Sequence, residues 1–136
     1  MRRLLFLLVA FVAGPAWADC PMDLGRGTGW VIFSAHYMIS FRPDPMRVEI
    51  GEPVALVLNV CTKDSEAAEL VAVTVQPVEG KAPSQQLRIV RGESGRYRAE
   101  GLVLGAAGHW EIDFDVRSSQ GSDPRSEQLT HEIVVK

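Results

Sequence analysis

In 136 residues the chain has only three histidines, His36, His109 and His131, and only two cysteines, Cys20 and Cys61. It contains no Gly-x-Ser-x-Gly, no His-Glu-x-x-His, no glycine-rich phosphate loop and no Cys–His pairing. The arrangements behind acyl transfer, zinc hydrolysis and phosphoryl transfer therefore have no sequence basis, no catalytic residue is assigned, and an enzyme is not expected. Neither charge sign forms a run, and the net charge is −3. That balance argues against nucleic acid or an anionic membrane as a partner. After the first residues no apolar run is long enough to span a bilayer, which needs about 20 residues. Helical amphipathicity, internal repeats and domain boundaries are also missing.

What is present begins with a targeting pattern. Met1-Arg2-Arg3 is followed by the apolar run 4–13, then Gly14-Pro15 and Ala16-Trp17-Ala18. A basic head, an apolar core and an Ala-x-Ala end are the marks of a secretory signal peptide, here residues 1–18, cut after Ala18. Asp19 stands before Cys20 where a lipoprotein would carry a small residue. The remaining residues 19–136 are long enough for one domain with its own core. Loss of Arg2 and Arg3 takes 14 basic residues to 12 against 17 acidic ones, a net charge of −5. Both cysteines fall in the exported part, where a lone pair reads as a disulfide between Cys20 and Cys61. Closing that loop would stabilise the fold by roughly 4 kcal/mol on chain entropy. The alternative, a metal-binding thiol pair, lacks a Cys-x-x-Cys spacing and a neighbouring histidine.

The clearest element is the run His109–Arg117 at residues 109–117. Trp110, Ile112, Phe114 and Val116 alternate with His109, Glu111, Asp113, Asp115 and Arg117. A period of two with charges between apolar residues predicts a strand with one buried and one wet face. Before it, a turn at 92–95 joins residues 86–91 to 96–104 as a hairpin. Residues 30–42 read as one strand, stopped by Pro43-Asp44-Pro45 because proline cannot donate to a ladder. Residues 46–50 form a short extended piece. Residues 54–61 are apolar on nearly both faces, as a central strand would be. Residues 62–69 are a polar connection. Residues 70–76 place Val71, Val73 and Val75 on one side, 77–84 are a loop, 118–126 a disorder-prone loop, and 129–136 the last strand. Seven to eight short strands without a helix predict an all-β fold, an immunoglobulin-like antiparallel β-sandwich. A small closed barrel is the alternative.

Candidate chemistry is sparse. Glu111, Asp113 and Asp115 line one strand face, where the ordinary reading is a solvated face paired with Arg or Lys across the strand, and the rival reading a cation site. Met22, Met38 and Met46 lie early in the exported chain, with His36 two residues before Met38; thioethers in an oxidising compartment suggest copper(I). All three histidines take polar alternation positions and are expected to face solvent. Trp110 is expected in the core, Tyr97 is placed to bond loop backbone in the manner of a tyrosine corner, and Trp30 is a surface-anchor candidate.

The segments Tyr37 to Phe41, Val48-Glu49-Ile50-Gly51, 54–61, Gly95-Arg96-Tyr97, Glu100-Gly101-Leu102, Gly108-His109-Trp110-Glu111-Ile112 and Leu129-Thr130-His131-Glu132-Ile133 together resemble the YtkA-like or FixH-like group of small exported domains. The resemblance implies an immunoglobulin-like sandwich in the periplasm with an accessory role, in a group several of whose members are thought to handle copper or to serve haem–copper and other redox proteins. The Met-Pro-x-His-x-His-Gly segment of such domains reads Gln76-Pro77-Val78-Glu79-Gly80-Lys81-Ala82 here. Their His-Met-Pro before Gly-x-Trp reads Gly105-Ala106-Ala107. Both metal-type motifs are thus missing. The expectation is a periplasmic, non-enzymatic binding module without a cofactor, meeting a protein partner through a sheet edge or loop end. The alternative is a copper(I)-binding protein using His36, Met38 and Met46.

Overall fold

A computed structural model describes residues 20, 24, 29–64, 66–118 and 126–136. The signal-peptide reading, Met22 and most of the loop after Arg117 lie outside the described residues. Among the described residues the chain forms nine strands: β1 (Trp30–Phe33), β2 (Tyr37–Asp44), β3 (Pro53–Thr62), β4 (Glu69–Pro77), β5 (Gln85–Gln86), β6 (Arg88–Arg91), β7 (Arg96–Val103), β8 (Gly108–Arg117) and β9 (Ser126–Val135). All pairings are antiparallel, in two sheets ordered β1-β2-β3-β7-β6 and β5-β4-β8-β9. Strands β2-β3-β7-β6 face β4-β8-β9 in the order of the two immunoglobulin sheets, with β1 added at one edge and β5 at another. The immunoglobulin-like sandwich expected from the alternation is the fold.

The core follows from that alternation. Trp110, Ile112, Phe114 and Val116 of β8 are buried, as are Ile39 and Phe41 of β2, Leu56, Leu58 and Val60 of β3, and Val73 and Val75 of β4. Strand β3 is covered on both faces, since Ala55, Asn59 and Cys61 are buried as well. Its second face is shielded near the chain start: Cys20 is bonded to Cys61, and Arg42 Nε and Nη2 donate to the Leu24 carbonyl at 3.4 and 3.3 Å.

Several boundaries differ from the alternation reading, each for a local reason. The predicted single strand 30–42 is a hairpin, because Ser34 closes a turn without glycine or proline: its N–H donates to the Tyr37 carbonyl at 2.9 Å and its Oγ accepts from the Tyr37 N–H at 3.2 Å. Pro43 does not stop β2. It pairs with Leu56 on one side, while β1 ends opposite Phe41, so its missing N–H faces an unpaired edge. Val71 is 47% exposed instead of joining Val73 and Val75, since a register shift between Leu70 and Ala72 turns it outward. The residues 86–91 are also not one strand. Gln85–Gln86 pairs with β4, and after Leu87 the chain crosses to pair with β7. The Gln85 side chain accepts from Val103 N–H at 3.1 Å and donates to Val103 O at 2.7 Å, bridging the two sheets.

Candidate functional site

Cys20 and Cys61 form a disulfide with a Cα–Cα distance of 5.8 Å, and both are buried. The bridge packs against the β6–β7 turn. Gly95 sits there at φ +81°, where an added Cβ would lie 2.7 Å from the Val60 carbonyl oxygen and 3.1 Å from Cys20 Sγ. Close by, the Tyr97 hydroxyl donates to the Ala68 carbonyl at 3.2 Å. Tyr97 does bond loop backbone, but in the distant β3–β4 connection and not a few residues upstream. The Trp110 indole donates to the Ala106 carbonyl at 3.1 Å. These groups are architectural.

The three residues weighed as copper ligands are not brought together. His36 lies in the β1–β2 turn, Met38 near the start of β2 opposite Cys61, and Met46 beyond the other end of that strand. Eight strand residues separate His36 from Met46, about 25 Å of extended chain. His36 instead bonds Glu127 of β9, Nδ1 to Oε2 at 2.6 Å and backbone N–H to Oε1 at 3.0 Å. Burial alone would raise the Glu127 carboxyl, but hydrogen bonds from Ser34 and His36 outweigh it and hold the pKa below the ordinary carboxylate value. Among the described residues no three of His, Cys, Asp and Glu group as a metal site.

The carboxylate row on β8 has partners, though not the cations expected of a wet sheet face. Glu111 accepts from Gln76 Nε2 at 3.1 Å, Asp113 from Thr130 Oγ1 at 2.8 Å and Asp115 from Gln128 Nε2 at 3.2 Å. Neutral donors on β4 and β9 thus satisfy these carboxylates along the outer face. Arg117 caps the row by a two-point bond to Glu69 at 3.0 and 2.9 Å, which holds the Glu69 carboxyl below its usual pKa.

His36 and His109 are exposed, and His109 Nδ1 lies 2.5 Å from Glu132 Oε1. His131 is not solvent-facing as expected. It is in phase with Leu129, Ile133 and Val135, and so points between the sheets. Its ring lies 5.2 Å from Phe41 and 5.5 Å from Trp30, centroid to centroid, and Trp30 in turn lies 5.3 Å from Phe41. Burial lowers the His131 pKa, which favours the neutral imidazole. The alternation from Leu129 to Val135 carried this signal, but the polar type of the residue masked it.

His131 lines a broad open cleft. This hollow of about 800 Å³ lies on the side of the sandwich where β1 and β9 meet. Trp30, Met46, Val48 and Ile50 form one wall, and residues 131–136 form the other. Trp30 is 43% exposed, Met46 54% and Ile50 44%, so large apolar side chains converge on one wet cavity. The polar rim is partly engaged, with Glu132 on His109 and Arg47 Nε 3.8 Å from Glu49. Strand β9 pairs with β8 alone, which leaves its other edge without a backbone partner among the described residues. The site offers apolar surface and main-chain hydrogen-bonding groups. Comparison of the chain with protein-family models, with curated proteins and with solved structures returned no match.

Proposed function

We propose that the chain is an exported, non-enzymatic accessory module that works by binding a protein partner in the periplasm. The convergence of Trp30, Met46 and Ile50 on one open cleft carries this reading. Exposed apolar side chains gathered in a concave site with few free side-chain charges mark a place for another molecule to cover. The buried Cys20–Cys61 bridge supports an oxidising compartment, and the residues 1–18 supply the export pattern. The resemblance to YtkA-like and FixH-like domains supports, as part of the proposal, a partner belonging to a redox or copper-handling system. No helix among the described residues is long and apolar enough to cross a membrane.

Two measurements on the full chain, expressed in a bacterial host, test this. Intact mass of the periplasmic fraction should show a chain that starts at Asp19 and has no free thiol. A photo-crosslinker at Ile50 should then trap a protein that the same crosslinker at Val90, on the far edge strand β6, does not. Retention in the cytoplasm, or equal adducts from both positions, would overturn the reading.

A further inference from the structure

Resting on the binding-module reading, we infer that the cleft takes an extended segment of the partner protein, added as a new strand along the free edge of β9. Residues 131–136 line the cleft consecutively. Side chains of a strand alternate between faces, so an unbroken run of lining residues means that the backbone edge itself faces the cavity. That edge pairs with nothing among the described residues, and every second residue on it directs its N–H and C=O away from the sheet. The open length is about 20 Å, enough for a short strand. Towards the start of β9 the edge is closed by the β1–β2 hairpin, through His36 on Glu127 and Trp30 on His131. The incoming strand is therefore confined to the second half.

The same geometry sets the chemistry of the occupant. Alternate side chains of the added strand would face Trp30, Met46 and Ile50 and be apolar. Those between would lie beside Glu132 and Val134, where a basic residue is favoured next to the Glu132 carboxylate. Glu49 and Glu132 are already near Arg47 and His109, and Lys136 is the other charged side chain of the lining, so ion pairs add little beyond the Glu132 preference and the main-chain amides of the free edge select an extended peptide. A second copy offering its own β9 would carry its own segment 46–50 on the same side, into the space this one fills. A lone extended segment brings no such obstruction.

The test uses the oxidised exported chain and a synthetic peptide of alternating valine and lysine, read by hydrogen exchange of the backbone amides. Peptide binding should slow exchange of amides within residues 131–136 and leave the β6 edge unchanged. Methylating alternate peptide nitrogens keeps the side chains but removes the donors, and should weaken binding roughly tenfold or more. Met46→Asp, a change at an exposed wall residue, should weaken it too while the melt stays unaltered. The inference is overturned by any of four results: no binding, equal binding of the methylated peptide, protection elsewhere, or protection of these amides by self-association without peptide. The crosslinking result decides the functional reading independently of this outcome.

Discussion

Removing the Cys20–Cys61 bridge should cost the fold about 4 kcal/mol on chain entropy alone. The variant is Cys20→Ala with Cys61→Ala, which avoids burying a new polar group. The magnitude comes from the loop that the bridge closes, since the cysteines are 41 residues apart and the term grows with the logarithm of that span. Both sulfurs are also buried, and the voids left by alanine should add about 1 kcal/mol. Small domains have about 5–15 kcal/mol in total, so a loss of about 5 kcal/mol removes from a third to all of that stability. In urea, with a slope of about 2 kcal/mol per molar, the midpoint should fall by about 2–3 M. Leu24→Ala separates two contributions, because it keeps the bridge but removes the buried side chain next to the carbonyl that Arg42 holds. A midpoint drop under about 0.5 M for the double variant, starting from protein with no free thiol, would refute the loop-closure reasoning.

Tyr97→Phe removes the donor to the buried Ala68 carbonyl and should cost about 1–2 kcal/mol, read from the urea midpoint. Gly95→Ala should cost more than about 1 kcal/mol by the same assay, because the position has φ +81° and the new Cβ would collide with the Val60 carbonyl. For His131 the pKa is lower in the fold than unfolded, so the unfolded chain binds the proton more readily. Its contribution is intact above the unfolded value of about 6.5 and is lost as pH falls below it. His131→Phe should accordingly flatten the fall in melting temperature on the acid side of that value, and an unchanged slope would count against the inward placement.

The framework was legible because burial and alternation coincide in most strands. Trp110 to Val116 and the doubly apolar β3 could be placed from residue type alone, and those strands set the sheets. Features that depend on a single backbone irregularity left no periodic trace. The bulge at Val71 interrupts a run of valines that looks regular, and the Ser34 turn closes without the usual turn residues. The crossing at Leu87 separates two short strands that the sequence joins. The site was less legible still. Its walls come from β1, the segment after β2, and β9, which are distant in sequence, and its aromatic histidine looked like a surface residue. The copper alternative shows the converse relation: His36 and Met46 are near in sequence, but an intervening extended strand carries them to opposite ends.

The crossing at Leu87 also decides how the two sheets are held. On that side one continuous backbone passes from sheet to sheet, reinforced by Gln85 on Val103, so the sandwich has a spine. On the opposite side no strand pairing joins the sheets among the described residues; Trp30 meets His131, and His36 meets Glu127 through its ring and its backbone N–H, as at the fore-edge of a book. Partial opening of such a body starts where no chain crosses, with β1 and β9 parting while β3, β4, β7 and β8 stay bound. A strand laid along β9 would close the fore-edge like a clasp, so the bound molecule would resist that opening.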